Sequence, residues 1–190
     1  MSDRVSAMAG ETFSGSVEVA EAGLVGMVAI RGDLGDGDFA EGVAKALGVP
    51  VPGKRQVTGE GGLSLLWMSP DELLLVCAHD EADDKVRSLS EALGDQHHLA
   101  VNVSDARAVF RLEGEGAAIR EVLAKLTPAD VRPGSLPTGE VRRTRMAQVP
   151  AAFWFEAEGR ASVVCFRSVA AYVFGLLSNV AASGSEVGYF

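Results

Sequence analysis

The chain alternates between short runs of branched and aromatic residues and longer segments in which apolar residues recur every three or four positions. The short runs are typical of strands, and the recurrent spacing is typical of helices that bury one face. In the first half, this pattern predicts a strand at residues 24–31, a helix ending at Gly48, a hairpin turning at Pro70, a helix at residues 83–93 and a strand at residues 99–103.

The second half of the chain repeats this order of elements. It predicts a strand at residues 108–114, a helix at residues 117–126, a hairpin turning at Gly159 and a final helix at residues 168–182. Four pairs of landmark residues have similar separations of 80 to 88 positions: Arg31 and Arg111, Pro52 and Pro133, Trp67 and Trp154, and Cys77 and Cys165. Two copies of a strand–helix–hairpin–helix unit, each resembling a split β-α-β plait, account for this repetition.

Two polar residues are placed to begin helices. Asp38, followed by Glu41 three positions later, forms a variant of the capping box at the start of the first helix. Ser168 precedes the apolar run of the final helix and is expected to cap it.

The repetition predicts an α+β protein with two pseudo-symmetric, ferredoxin-like halves. We expect a flexible N-terminal tail at residues 1–15, a first plait-like half at residues 16–105 and a second at residues 106–190, packed together as one compact unit. With 190 residues, of which 47% are hydrophobic, the chain is long enough to bury a substantial core.

Composition excludes several classes of partner. The net charge of −9 argues against nucleic acid, because binding to a phosphate backbone needs clustered cations. No apolar run approaches the roughly 18 residues of a membrane span, and the first residues lack the pattern of a signal peptide. Cys77 and Cys165 lie in apolar, strand-like runs, which indicates buried thiols in a reducing cytoplasm.

The segment Gly114-Glu115-Gly116 lies between a predicted strand and a predicted helix, where dinucleotide-binding proteins place a phosphate loop. Ile119 stands where that fingerprint needs a small residue, and Glu115 would repel a pyrophosphate. The pattern therefore favours a plain corner over a nucleotide site, with a nucleotide-binding module as the less favoured alternative.

Other candidate chemistry is weak. The acids of the first loop fail the spacing of a calcium loop, and the histidines form no zinc-ligand spacing with either cysteine. The residue types of a nucleophilic triad are present, but the sequence gives no geometry for them. These candidates are Asp33, Asp36 and Asp38; His79, His97 and His98; and the set Ser104, Asp105 and His98. We expect no catalytic, cofactor-binding or metal site in this chain.

Two surfaces are candidates for contact with a partner. Arg142, Arg143 and Arg145 are concentrated on one predicted strand of an otherwise acidic chain. This strand is either a solvated edge protected by charge or a docking surface for acidic groups. The final helix carries no charge, and its sheet-covering stripe leaves Tyr172 and Phe174 as candidates for contact with another chain.

Several segments carry a resemblance to a known family: "WMSPDELLLVC", "VNVSDARAVFRLEGEGAAIREVLAKL", "RMAQVPAAFWF" and "FRSVAAYVFGLL". Together they resemble the gamma subunits of heterotetrameric sarcosine oxidases, over about residues 24–182. That family is similar in turn to part of the folate-dependent aminomethyltransferases, which implies the doubled, folate-binding-like plait.

The resemblance implies a non-catalytic subunit of an enzyme that demethylates sarcosine oxidatively to glycine, with hydrogen peroxide and a one-carbon unit as products. It implies alpha, beta and delta subunits as partners, which hold FAD, FMN, NAD and tetrahydrofolate. Asn102-Val103-Ser104-Asp105 stands where the transferases resemble Asp-Val-Ser-His, and "VPAAFWF" lacks their paired acids. The alternative is a stand-alone folate-binding, aminomethyltransferase-like protein.

Overall fold

The computed structural model describes residues 4–190, which form two compact units. The inserted unit is Val25–Ser104. The discontinuous unit combines the segment ending at Leu24 with Asp105–Phe190.

The strands in chain order are β1 (Thr12–Ser14), β2 (Glu18–Glu21), β3 (Val25–Arg31), β4 (Val57–Glu60), β5 (Leu63–Ser69), β6 (Glu72–Ala78), β7 (Leu99–Asn102), β8 (Arg107–Glu113), β9 (Val141–Met146), β10 (Val149–Ala157) and β11 (Arg160–Phe166). The helices are α1 (Gly37–Leu47), α2 (Ala82–Leu93), α3 (Gly116–Leu126) and α4 (Ala170–Val180).

The inserted unit has one antiparallel sheet with strand order β4-β5-β6-β3-β7. Without the edge strand β4, the connections follow the split β-α-β plait. Helices α1 and α2 cover one sheet face, because their apolar stripes join alternate strand residues in one core. This core includes Phe39, Val43 and Leu89 from the helices and Val28 and Leu75 from the sheet.

The discontinuous unit has an antiparallel sheet with strand order β1-β2-β8-β11-β10-β9. Its core joins the sheet to helices α3 and α4 through residues such as Phe110, Phe153, Leu123 and Leu177. The ferredoxin-like fold class is therefore confirmed in both halves.

The neighbour of β8 in this sheet comes from early in the chain. β2 pairs with β8, just as β7 pairs with β3 in the inserted unit. The segment before β2 lies beside the end of α4, because the Ser16 backbone N–H donates to the Ala181 carbonyl oxygen at 2.8 Å. β2 thus fills the position where a strand following α4 would complete the plait.

The register of the two sheets tests the predicted repeat. Cys77 pairs with Gly26 on β3 and Cys165 pairs with Ala108 on β8, and each cysteine is the sixth residue of its strand, so the cysteines are equivalent. Arg31 is the last residue of β3, whereas Arg111 lies two positions before the end of β8. The arginine pair is therefore out of register by two residues.

The residue equivalent to Arg31 is Glu113, and both halves place an ion pair at this position, with the two charges exchanged. Arg31 pairs with Glu72 across β3 and β6, with 2.9 Å between guanidinium and carboxylate. Glu113 pairs with Arg160 across β8 and β11, at 3.3 Å.

Both predicted helix caps differ from the structure. The carboxylate of Asp36 caps α1 by accepting from the Asp38 N–H at 2.9 Å, because Asp36 has the extended backbone that a cap residue needs. Ser168 lies within a short 3-10 turn, and α4 begins at Ala170 without a side-chain cap.

The predicted division at residues 15/16 and 105/106 also differs from the observed units. Residues 12–14 of the predicted flexible tail form β1, and β2 belongs with the second half, because both strands hydrogen-bond into the sheet that contains β8. Residues 1–3 of the predicted tail lie outside the described residues.

Candidate functional site

The Gly114 corner is filled by the protein itself. The Gly114 N–H donates to the Gly159 carbonyl oxygen in the β10–β11 turn at 3.2 Å. At Gly116, the first residue of α3, a Cβ atom would lie 2.7 Å from the Glu158 carbonyl oxygen and would also strike the Glu158 carboxylate. Glycine is required there by close packing against the turn.

The strands around this corner do not form a dinucleotide-binding unit. That fold places a parallel strand beside the strand that precedes the phosphate loop. β8 instead lies between β2 and β11, and both run antiparallel to it. The arrangement agrees with the plain corner and gives no support to the nucleotide-binding alternative.

Two of the three acids of the first loop serve local backbone structure. Asp36 caps α1, and the Asp33 carboxylate accepts from the Gly35 N–H at 2.9 Å. In residues 4–190, no group of three or more histidines, cysteines or acids is arranged to hold a metal ion.

The structure does not assemble a nucleophilic site from the candidate residues Ser104, Asp105 and His98. The Ser104 hydroxyl is buried, lies 2.6 Å from Asn102 Oδ1 and accepts from the Met27 N–H at 2.9 Å. His98 Nδ1 lies 2.8 Å from the Gln96 carbonyl oxygen instead. The Ser104 side chain therefore anchors the backbone at Met27, and the His98 side chain bonds within its own loop.

Both cysteines are buried thiols, as predicted. Desolvation by burial raises the pKa of Cys165 to about 11, and it also raises the pKa of Cys77. Neither thiol is activated as a nucleophile, because the thiolate is the reactive form.

β9, which carries the predicted basic cluster, is an edge strand of its sheet. Arg142 lies on the face of Met146, as predicted, but its guanidinium bonds to the Glu140 carboxylate at 2.7 Å and to the Ser135 carbonyl oxygen. Its side chain is only 14% exposed. Arg143 and Arg145 are exposed and form the outward part of the cluster.

Arg120 fixes the loop that leads into β9. Its guanidinium, 2% exposed, donates to the carbonyl oxygens of Val131 and Leu136 at 2.6 and 3.0 Å and lies 4.2 Å from the Phe155 ring centre. Burial lowers the pKa of Arg120, and the Glu158 charge opposes this shift. Sequence reasoning missed this residue, because an arginine between apolar helix positions looks like a surface charge.

α4 buries one narrow stripe, which consists of Ala170, Val173, Leu177 and, just beyond its end, Ala181. This differs from the predicted stripe, in which Val169 and Leu176 belonged to the core; both are only partly buried. The stripe is narrower than predicted and is shared with the prediction at Val173 and Leu177. Tyr172 is 44% exposed, whereas Phe174 is partly buried and its ring centre lies 6.0 Å from that of Phe110.

A buried carboxylate on α3 holds the last residues of the chain. Glu121 accepts from the Val187 and Gly188 N–H groups, the latter at 2.8 Å, and pairs with Lys125 at 3.1 Å. The Val187 N–H, ahead of the other partners, lowers the pKa of Glu121 to about 2.

A cleft in the inserted unit was not predicted. It has a volume of about 700 Å³ and lies where the end of β3, the turn before β6 and the start of β7 meet. Its charged lining consists of Arg31, Asp33, Asp36 and Asp71, and Leu99 forms part of its wall. The sequence singled out several of these residues separately, but only the pairing of β3 with β6 and β7 brings them together.

These observations define the class of protein: a doubled, ferredoxin-like α+β protein. Its candidate site residues cap helices, hold loops in place or face solvent. Residues 31–183 match the sarcosine oxidase gamma subunit family. The chain therefore belongs to the family of sarcosine oxidase gamma subunits, and the predicted resemblance is confirmed.

Individual relatives agree with this assignment. The sarcosine oxidase subunit gamma of Corynebacterium sp. (strain P-1) is 31% identical over 154 residues, which are 80% of this chain and 73% of that protein. The subunit gamma of Corynebacterium sp. (strain U-96) is 33% identical over 151 residues, 80% of this chain and 71% of that protein.

Solved structures show the same relation. A chain of the heterotetrameric sarcosine oxidase from Corynebacterium sp. U-96, in complex with pyrrole 2-carboxylate, superposes with a TM-score of 0.78 and 27% identity, covering 88% of this chain and 86% of that chain. The glycine cleavage system aminomethyltransferase T from Bartonella henselae gives a TM-score of 0.60 at 15% identity, covering 83% of this chain and 44% of that one. The latter shows a shared fold only.

No helix within residues 4–190 has the length and apolar character that crossing a membrane requires.

Proposed function

We propose that this chain is the gamma subunit of a heterotetrameric sarcosine oxidase and has no active site of its own. Its partners are the alpha, beta and delta subunits, and the assembly works in the cytoplasm. The assembly demethylates sarcosine oxidatively to glycine, with hydrogen peroxide and a one-carbon unit as products. FAD, FMN, NAD and tetrahydrofolate are held by the partner subunits.

The observation that carries this proposal is the mutual coverage with the chain of the Corynebacterium sp. U-96 enzyme. The likeness extends over 88% of this chain and 86% of that one, at a TM-score of 0.78. A fold preserved over nearly the whole of both chains supports a preserved role in an assembly of the same kind.

Two surfaces support a role in assembly. Arg143 and Arg145 are exposed on edge strand β9, in a chain whose net charge is −9. Tyr172 is 44% exposed on an uncharged helix, with the partly buried Phe174 two positions further on. We propose that acidic groups of a partner bind the basic cluster, in which Arg142 holds the strand to its preceding loop. We also propose that Tyr172 and Phe174 contact a partner through apolar surface.

The test is reconstitution of the full chain with the other three subunits. We expect one complex that elutes as a single species. The double variant Arg143→Glu, Arg145→Glu should associate more slowly, and added salt should slow its association less than that of the unmodified chain, because salt screens the attraction that the variant has lost. The variant Lys54→Glu, Arg55→Glu makes the same charge change in the inserted unit and serves as the control.

Two outcomes would count against these proposals. A monodisperse monomer that ignores the flavin-bearing subunits would refute the role as a subunit. Equal association rates for the two double variants would refute the docking role of the basic cluster and leave β9 as a solvated edge.

The shared fold with the aminomethyltransferase supports one alternative, a stand-alone folate-binding protein. It predicts that calorimetry detects tetrahydrofolate binding to the isolated chain. Residues 151–155 of β10 are all buried and include no acid. This segment therefore offers no carboxylate to a folate amine, which supports the subunit role.

A further inference from the structure

β7 is an unusual edge strand because two of its three exposed side chains are apolar, the third being that of Asn102. Leu99 is 48% exposed and Val101 is 42% exposed, and the two lie on the same face of the strand. In the part of the chain that the structure describes, β7 pairs with β3 on one side, and no strand pairs with its other side. Exposed apolar edges are templates for strand pairing unless charge or proline protects them.

The backbone groups on the open side of β7 can be identified from the hydrogen-bond pattern. The Val103 N–H donates to the Met27 carbonyl oxygen at 2.8 Å, which makes these two residues a bonded pair. Bonded and non-bonded pairs alternate in an antiparallel ladder. Since Ala100 is opposite Ile30 and Asn102 is opposite Val28, the N–H and C=O groups of Ala100 and Asn102 face outward.

The open edge is held in a fixed position. The Asn102 side chain donates to the Asp83 carboxylate on α2 at 2.7 Å, and its Oδ1 accepts from the Ser104 N–H at 3.0 Å. A preorganised strand of this kind loses little freedom when another strand adds to it.

The cleft begins at the N-terminal end of β7, at Leu99. Its one guanidinium, from Arg31, already pairs with Asp71 at 3.0 Å and with Glu72 at 2.9 Å. Asp33 and Asp36 bond to turn amides and have no cation partner among the described residues. The cleft is therefore net negative.

A neutral side chain of the cleft also offers an acceptor. Gln96 Oε1 is buried without a hydrogen-bond partner in the described structure. His98 Nδ1 lies 2.8 Å from the Gln96 carbonyl oxygen, which can only accept, so Nδ1 is the donor of this bond. Phe39 supplies apolar surface in the same cleft. The lining matches a cationic group on an aliphatic stem.

We infer that β7 and the adjoining cleft together receive an extended segment of a partner subunit. The segment pairs with the outward groups of Ala100 and Asn102, covers Leu99 and Val101, and lays a lysine or arginine side chain in the cleft. A polypeptide fits better than a small amine, because a small amine leaves the strand edge unpaired. This inference rests on the proposed function.

The experiment measures the affinity of the full chain for the other three subunits of the complex. Asp33→Lys reverses a charge in the cleft, and Val101→Lys places a cation on the apolar face of β7. Ala100→Pro removes an outward N–H without removing a bond to β3. Glu91→Lys on exposed α2 makes the charge change of Asp33→Lys at a distance and is the control. Thermal unfolding verifies that each variant folds.

We expect Asp33→Lys and Val101→Lys each to weaken assembly by about tenfold or more, the loss of one good contact. Ala100→Pro should weaken it by a smaller factor, and Glu91→Lys should leave the affinity within about twofold of the unmodified chain.

If the unmodified chain assembles and both Asp33→Lys and Val101→Lys match Glu91→Lys, the inference is wrong while the proposed function stands. If only Asp33→Lys weakens assembly, strand pairing at β7 is refuted. If the unmodified chain fails to assemble, the proposed function fails and the inference fails with it.

Discussion

Replacement of Arg120 by methionine tests how the discontinuous unit is held together. The guanidinium lies inside the protein and bonds two backbone carbonyl oxygens, those of Val131 and Leu136, ahead of strand β9. Methionine has a similar length and fills similar space, but it offers no donor. The variant therefore isolates the polar role of the side chain from its volume.

The expected cost follows from four contributions. Two hydrogen bonds from a charged donor contribute about 1.5–3 kcal/mol each, and the contact with the Phe155 ring contributes about 1–2 kcal/mol. Methionine regains about 1.5 kcal/mol from apolar burial, and removal of the buried charge relieves a desolvation penalty of several kcal/mol. The free energy of unfolding should fall by about 2–4 kcal/mol.

Urea denaturation followed by tryptophan fluorescence measures this loss. The chain has two tryptophans, so a Trp67→Phe background leaves Trp154 in the discontinuous unit as the reporter. Arg111→Met, on an exposed position of β8, is the matched control and should change stability by less than about 0.5 kcal/mol. An Arg120→Met variant as stable as the control would refute the structural role of the buried guanidinium.

Three further predictions concern other parts of the chain. The pKa of Glu121, about 2, lies below its ordinary value of 4.5, so the hold of Glu121 on the C-terminal segment is present at neutral pH and is lost as pH falls from 4.5 towards 2. The hydrogen-exchange protection factor of the Gly188 amide should fall in that window. The variant Glu121→Gln should lower this protection factor already at neutral pH. Gly116→Ala should destabilise the protein by about 1–3 kcal/mol in urea denaturation, because its Cβ strikes backbone, whereas Gly37→Ala at the same position of α1 meets open space and should not destabilise it. Tyr172→Ala should weaken assembly with the partner subunits and leave the stability of the isolated chain unchanged, and a loss of stability instead would assign Tyr172 to the core.

Much of the fold could be predicted from the sequence because most elements carry their own periodic signal. The hairpin of β5 and β6 and the helices α1 to α3 lie close to their predicted positions. β2 carries no such signal. Its four residues, Glu-Val-Ala-Glu, form a strand because β8 pairs with them, and that partner lies far along the chain.

The candidate sites were predicted less well, since they depend on side-chain partners in distant loops. The sequence grouped Arg142 with Arg143 and Arg145, but the path of the preceding loop brings the Ser135 carbonyl oxygen to the guanidinium of Arg142. Similarly, the sequence offered Asp33 and His98 as candidates for two unrelated sites. The cleft that both residues line forms only because β7 pairs with β3.

The placement of β2 beside β8 sets an order for folding during synthesis. The inserted unit is contiguous, so its sheet can close as soon as β7 has left the ribosome. The earlier strand β2 must wait for β8, and its exposed edge needs protection during that interval. A circular permutant that moves β2 behind α4, where Ser16 already meets Ala181, would make both units contiguous. Its refolding should be faster, since the loop between paired strands becomes much shorter.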